Sequence, residues 1–189
     1  LSALRNSLIV ATCAVTISTI MGVLAAVGLA ELTKQKALRL AGAMRGLVIL
    51  PVLVPEIAMA VSALLLFMSM GFALGLSSVI AAHVIFCLSY VTMTVQARLE
   101  GMNPQLQEAA LDLGLTPTKA FFKVTLPLLA PGIISGALLA FVLSLDDFVI
   151  TQFTAGVGAT TLPLRIYSMV KFGVSPEINA LSTLMLVTT

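Results

Sequence analysis

Eight carboxylates are spread over 189 residues, and four of them stand where apolar sequence would otherwise continue: Glu56, Asp146, Asp147 and Glu177. An ionisable side chain at membrane depth is expensive, so each is a functional candidate. Carboxylates set along apolar walls suit a cation that carries ammonium groups on an apolar stem. Tyr90 offers a ring that could stack on such an alkylammonium; anchoring at the membrane interface is the other reading of the same residue. Glu56 directly follows Pro51-Val-Leu-Val-Pro55. Two prolines so close together free backbone carbonyls, which are tolerated at membrane depth only where protein or a water-filled cavity satisfies them. A broken helix with an acid beside it is a candidate cation site; a structural pairing of Glu56 with His83, or with a basic residue of a partner subunit, is the alternative. Asp146 and Asp147 are adjacent and so point about 100° apart on a helix, which rules out a carboxylate dyad. One is expected to face the path while the other caps a helix or meets water. Glu177 follows Ser175 and Pro176 in an N-cap, N1, N2 order, where the helix dipole stabilises an acid whatever its function.

A second constellation is the polar island Glu108-Ala-Ala-Leu-Asp-Leu-Gly114, followed after nine residues by Val124-Thr-Leu126-Pro127. Asn103 is a good N-cap and Pro104 a good first helical residue. Leu106, Ala109, Ala110 and Leu113 follow at i, i+3, i+4 and i+7, and Gly114 supplies a left-handed stop. Thr116 and Pro117 repeat the start signal, a second helix is expected through Phe121, Phe122 and Val124, and Pro127 is expected to open the next apolar span. Glu108 and Asp112 share a face, which costs an isolated helix a few tenths of a kcal/mol. That face wants a cationic partner, either Lys119, Lys123 or Arg98 of the same chain or a docked protein.

These residues must be positioned by membrane spans. Hydrophobic residues make up 59% of the chain, only 10% are charged and the mean hydropathy is +1.12, far from the soluble range of roughly a quarter charged. Asn6 to Ala30 is uncharged, Gly46 to Met70 holds only Glu56, Gly71 to Ala97 only His83, and Val124 to Leu145 nothing. A span needs about 20 apolar residues, so spans are expected near 8–30, 46–69, 75–96 and 127–147. A further apolar run from Glu177 is cut short at Thr189. Because the chain opens on Leu1 rather than Met, the sequence is expected to be a piece of a longer protein. Seven of the ten basic residues (Lys34, Lys36, Arg39, Arg45, Arg98, Lys119 and Lys123) fall in two loops. The positive-inside bias makes those loops cytoplasmic, the 97–126 loop with Glu108 among them, and puts 148–176 in a periplasmic loop. The net charge of +2 reflects this bias, and no basic run is interleaved with aromatics, so nucleic acid is not an expected partner. Cys13 and Cys87 lie in apolar runs and read as small hydrophobes rather than a disulfide or metal ligands. No P-loop run is present, so the chain is not expected to bind nucleotide itself.

The island and its surroundings resemble a known family. Glu-Ala-Ala, three residues, Gly, nine residues, an aliphatic, one residue, Leu-Pro is similar to the signature loop of inner-membrane permease subunits of ABC importers, with Val124 where Ile is usual. Ser144-Leu-Asp-Asp-Phe148, Thr161-Leu-Pro-Leu164, Ile166-Tyr-Ser-Met-Val-Lys171, Gly173-Val-Ser-Pro-Glu-Ile-Asn-Ala180, His83-Val-Ile-Phe-Cys-Leu-Ser-Tyr90 and Leu53-Val-Pro-Glu-Ile57 resemble the putrescine/spermidine permeases of that class. The resemblance implies an all-α integral membrane protein, a multi-span bundle of the type I importer class in one permease domain over 1–189, with a cytoplasmic coupling-helix hairpin. It implies a multi-pass protein of the bacterial inner membrane that translocates polyamines and is no enzyme. ATP and Mg would be used by a separate cytoplasmic ATPase subunit, against which Glu108, Ala109, Ala110, Asp112 and Gly114 would dock. A second homologous permease, a periplasmic polyamine-binding protein and the lipid bilayer complete the implied partners. The first span, the periplasmic segment after it and most of the last span would be the missing pieces.

Two other readings use the same acids. A permease of the same superfamily could carry an amino acid, iron or an inorganic anion, although an anion path should be lined by Arg or helix N-termini rather than four carboxylates. An intramembrane aspartyl protease could use Glu56 and Asp147. Small residues recur every fourth position at Ala14, Ser18, Gly22, Ala26 and Ala30, and again at Gly132, Gly136, Ala140 and Ser144. Such stripes let helices approach closely, and packing within the subunit is the favoured use.

Overall fold

The computed structural model describes residues 1–171 together with Asn179, Ala180, Thr183 and Val187; Glu177 and most of the apolar run that follows it lie outside the described residues. Among the described residues all regular structure is helical. The order is α1 (Ser2–Lys34), α2 (Leu38–Leu53), α3 (Glu56–Ser69), α4 (Leu76–Glu100), α5 (Gln105–Asp112), α6 (Pro117–Ala120), a π-helical turn (Phe121–Thr125), α7 (Leu126–Asp146), α8 (Val149–Thr154) and α9 (Leu162–Val170). Three continuous stretches are long and apolar enough to cross a bilayer: Ser2–Lys34, Leu76–Glu100 and Pro117–Asp146.

The core is the packing of α1, α4 and α7, centred on Val23, Ala26, Cys87, Val91, Val95, Leu129 and Ala140. Both small-residue stripes serve it. Ala14, Ser18, Gly22 and Ala26 are buried on α1, as are Gly132, Gly136, Ala140 and Ser144 on α7. A Cβ added at Gly22 would come within 2.8 Å of Val91 Cγ1, one at Gly136 within 3.3 Å of Val91 Cα, and one at Gly132 within 2.7 Å of Arg98 Cβ. Both outer helices therefore lean on α4 through glycines at which an added side chain would crowd it.

The stretch expected as one span over 46–69 is two helices. α2 starts eight residues early, and between Leu53 and Glu56 the chain turns so that α2 and α3 meet at 108°. Proline is the physical reason. Val54 precedes Pro55 and is driven to an extended ψ of 133°, as residues before proline are, and Pro55 brings no N–H to continue the ladder. α3 then packs on α8 and α4, Ala60 and Phe67 meeting Ile150 of α8 and Ala82 of α4 in one cluster. On α2 only Ala41 is buried, whereas Leu38, Leu47, Leu50 and Leu53 are exposed.

Two other expectations are adjusted. Pro127 stands in the first turn of α7, as expected, but no gap separates that helix from the hairpin, because Pro117–Asp146 forms one continuous helical run of 30 residues. A proline ring crowds the carbonyl four residues back; here that residue, Lys123, lies within the widened turn Phe121–Thr125, so the helix absorbs the proline instead of ending at it. The 148–176 region, read as a loop, contains α8 and α9. It is tied to the ends of the long helices: Asn6 Nδ2 donates to the carbonyls of Gly158 and Thr160, both at 3.0 Å, and Leu162 N–H donates to Ser7 Oγ at 2.8 Å. Ser78 Oγ accepts from Gly75 N–H and donates to the Thr154 carbonyl at 2.8 Å. At Gly156 an added Cβ would collide with the Leu74 backbone, so the two loops touch main chain to main chain.

Candidate functional site: an acidic cavity and an exposed hairpin

The α2–α3 elbow, the middle of α4 and the end of α7 enclose a cavity of about 500 Å³. Glu56 and Pro51 line it from the elbow, Phe86 and Tyr90 from α4, and Val142, Asp146 and Asp147 from α7 and its end. Four of the five sequence-predicted path residues thus come together: Glu56, Asp146, Asp147 and Tyr90. Glu177 is outside the described residues and is not placed. Phe86 meets Tyr90 edge to face at 5.0 Å between ring centroids, an arrangement favoured by the ring quadrupoles. The walls are therefore apolar and aromatic, with carboxylates at intervals.

The adjacent aspartates have different jobs. Asp146 ends α7 and is exposed, whereas Asp147 leaves the helix with ψ 127° and is buried. Its carboxylate is surrounded by donors. Oδ1 accepts from Ile150 N–H at 3.2 Å; Oδ2 accepts from Thr151 N–H at 2.9 Å and from Thr151 Oγ1 at 2.8 Å. This is a helix cap for α8, with an anion at the positive end of the helix. His83 Nε2 lies 3.1 Å from the same Oδ2, and both side chains are about 1% exposed. The imidazole is held from its other side by Ser144 Oγ, 2.8 Å from Nδ1, and Thr151 Oγ1 lies 3.1 Å from Nε2. An ionised Asp147 can only accept, so Nε2–H donates to it, while Nδ1 shares one proton with the Ser144 hydroxyl. His83 therefore pairs with Asp147 rather than with Glu56. Glu56 is exposed and enters no ion pair among the described residues.

Thr151 escaped the sequence reading, and Ser144 entered it only as a packing residue and as part of the Ser144–Phe148 motif. The spacing from Asp147 to Thr151 is a usable capping signal. Nothing in the sequence links Ser144 to a histidine 61 positions earlier.

The second constellation is built by local punctuation. Asn103 Oδ1 accepts from Gln105 N–H at 3.0 Å. Gly114 takes φ +84°, its N–H donates to the Leu111 carbonyl at 2.9 Å, and Leu115 N–H donates to the Ala110 carbonyl; the positive φ is where glycine carries no Cβ penalty. Thr116 caps α6 through Lys119 N–H at 3.5 Å. Ala110 is buried against the neighbouring turn, while Glu108, Ala109, Asp112 and Gly114 are exposed. Leu113 is 85% exposed and Leu106 47%. Among the described residues Glu108 and Asp112 join no ion pair, Arg98 instead donating from Nε to the Leu128 carbonyl at 3.1 Å. The hairpin presents leucines and two acids outward.

Comparison with known proteins agrees with this architecture. The family model described as "Binding-protein-dependent transport system inner membrane component" matches residues 18–189. The putrescine transport system permease protein PotI of Escherichia coli (strain K12) is 44% identical, the match covering 98% of this chain and 67% of that protein. The spermidine/putrescine transport system permease protein PotC of Haemophilus influenzae is 45% identical over 96% of this chain and 69% of that one. In fold, the inward-facing MetNI methionine ABC transporter matches with a TM-score of 0.82 at 18% identity, covering 98% of this chain and 87% of that chain. An amino acid ABC transporter matches with a TM-score of 0.74 at 19% identity, over 99% of this chain and 86% of that one.

Proposed function

Since the chain belongs to the family of binding-protein-dependent transport system inner membrane components, we propose that it is the permease subunit through which polyamines cross the bacterial inner membrane in an ATP-driven importer. The observation that carries the substrate class is the cavity, where Glu56 and Asp146 stand exposed on apolar walls beside Tyr90. A diammonium or triammonium chain needs separated carboxylates for its charges and apolar surface for its methylenes, and an aromatic face adds a cation–π contact. An anion would meet only repulsion there. The relatives named for putrescine and spermidine transport support the same class.

The exposed hairpin supplies the other half of the mechanism. α5 and α6 extend the basic side of the molecule, which the positive-inside rule makes cytoplasmic. The face of Glu108, Ala109, Asp112 and Gly114, with Leu113 beside it, fits a groove on a cytoplasmic ATPase subunit that supplies the ATP and Mg chemistry. α6 continues without a break into α7, so a pull on the hairpin moves the helix that carries Asp146 at its far end. A second homologous permease and a periplasmic polyamine-binding protein complete the assembly. The permease domain occupies 1–189, with the coupling loop at 97–126 and the periplasmic region at 148–176.

Reconstitution of the chain with its partner subunits in vesicles tests this. ATP-dependent accumulation of labelled putrescine or spermidine is expected, and the paired substitution Glu56→Gln and Asp146→Asn should abolish it while the complex still assembles. Full uptake by the paired variant would overturn the reading.

A further inference from the structure

The cavity holds three carboxylates, but one is already taken. Asp147 receives two backbone N–H groups, one hydroxyl and one imidazole nitrogen, three of the four converging on Oδ2. An ammonium would have to displace a charge-assisted partner to use that oxygen. Among the described residues no such donor reaches Asp146 or Glu56, although Glu56 stands beside Asp147. What divides adjacent aspartates into one held and one free is the corner around His83. This residue stands on α4 and touches Ser144 of α7, Asp147 at the α7–α8 corner and Thr151 of α8. Its ring thereby ties three elements together.

Resting on the polyamine reading above, we infer that His83 is a positioning residue: by holding Asp147 in the α7–α8 corner it keeps that carboxylate off the cation path, so that only Glu56 and Asp146 meet the cargo. A permease must release what it accepts, and a third free carboxylate would hold a multiply charged cation too tightly. Burying an ionisable pair is costly unless each member is fully bonded, and this pair is. Without the imidazole Asp147 keeps its bonds from Ile150 and Thr151, but the side of Oδ2 that faced Nε2 is left open in a carboxylate that already lines the cavity.

The test is a split between KM and maximal rate. His83→Leu in the reconstituted importer should lower KM for labelled spermidine at least threefold and lower maximal uptake as well, because the freed Asp147 tightens binding and slows release. His83→Gln keeps an N–H donor and should restore both parameters. Ser144→Ala, which removes only the anchor of Nδ1, should move KM the same way by a smaller factor, and it serves if the leucine variant fails to assemble. Loss of maximal rate at unchanged KM in both His83→Leu and Ser144→Ala would reduce the corner to scaffolding and overturn the assignment. A second readout does not depend on what the importer carries. In a chain with Cys13→Ala and Cys87→Ala, Asp146→Cys is reacted with cationic and anionic methanethiosulfonates. Adding His83→Leu should raise the ratio of cationic to anionic rates severalfold, and an unchanged ratio overturns the proposal even if wild-type importer carries no polyamine. Absence of polyamine uptake by wild type, with the ratio raised, would instead overturn only the substrate reading.

Discussion

The α7–α8 corner and the α5–α6 hairpin are both polar islands in an apolar chain, and they are built in opposite ways. At the corner a histidine and an aspartate, each about 1% exposed, are bonded on every side. On the hairpin two acids four residues apart face outward without an ion pair among the described residues, and Leu113 is 85% exposed beside them. Burial demands satisfaction, because an unpaired polar group away from water costs several times what a bond contributes. Exposure removes that demand. The contrast teaches which polar group holds the subunit together and which waits for something else: stability should reside in the corner, and transmission in the hairpin.

The comparison breaks if the corner can be dismantled cheaply. Asp147→Ala strips His83 of its charged partner and α8 of its cap, and breaking a buried pair costs about 3–5 kcal/mol. A large fall in the melting temperature of the detergent-solubilised protein is the expected outcome. A melting temperature equal to wild type would remove the corner from the scaffold. Next in size are the glycine contacts that bring α7 onto α4. Gly132→Leu drives a side chain into Arg98, where even a Cβ would sit at 2.7 Å, and overpacking of this kind costs about 1–3 kcal/mol. The melting temperature should fall by less than for Asp147→Ala, and more than for any hairpin substitution.

The two regions also differ in how far sequence alone reveals them. The hairpin is written in local grammar: Asn103, Gly114 and Thr116 each act on backbone groups within four residues, so their identities announce its turns. At the corner the grammar is only half local. Asp147 caps a helix three residues on, which its spacing to Thr151 suggests, but the imidazole that completes the site comes from another helix, 61 positions from Ser144. Apolar span patterns carry no register between helices, so a reading of Glu56 with His83 was as natural as Asp147 with His83. The same limit hid the angle of the elbow, though not the broken helix itself. Pro51 and Pro55 signal a break, yet a run of apolar residues looks the same straight or bent by 108°. It was the turn into α3 that brought Glu56 into the cavity that Asp146 and Asp147 also line.

A smaller effect separates conformational cost from packing on the hairpin itself. At Gly114 nothing lies within 4 Å of an added Cβ, yet φ is +84°. Gly114→Ala should therefore cost only the left-handed strain, roughly 1–2 kcal/mol, and it should act by loosening the α5–α6 turn. Proteolysis at the hairpin would quicken severalfold with little change in the melting temperature of the bundle. If Gly114→Ala instead melted the protein like Gly132→Leu, the hairpin would belong to the scaffold after all.

The smallest expected effect on stability is also the sharpest test of the division. Leu113 is 85% exposed, so Leu113→Ser removes almost no buried apolar area, and substitutions of this kind shift stability by no more than about 0.5 kcal/mol. The melting temperature should stay at the wild-type value. Transport should not, if this leucine is an anchor of the docked face: loss of one apolar anchor that weakens ATPase capture by about 1.4 kcal/mol is a tenfold change in affinity. Pull-down of the ATPase subunit by membranes containing the variant, together with ATP-driven uptake, measures both quantities. Unchanged melting with weakened capture is the signature of a surface that the subunit does not need for itself. Unchanged melting with unchanged capture would mean that the exposed leucine faces lipid or water in the assembly, and that Glu108, Ala109, Asp112 and Gly114 meet the partner without it.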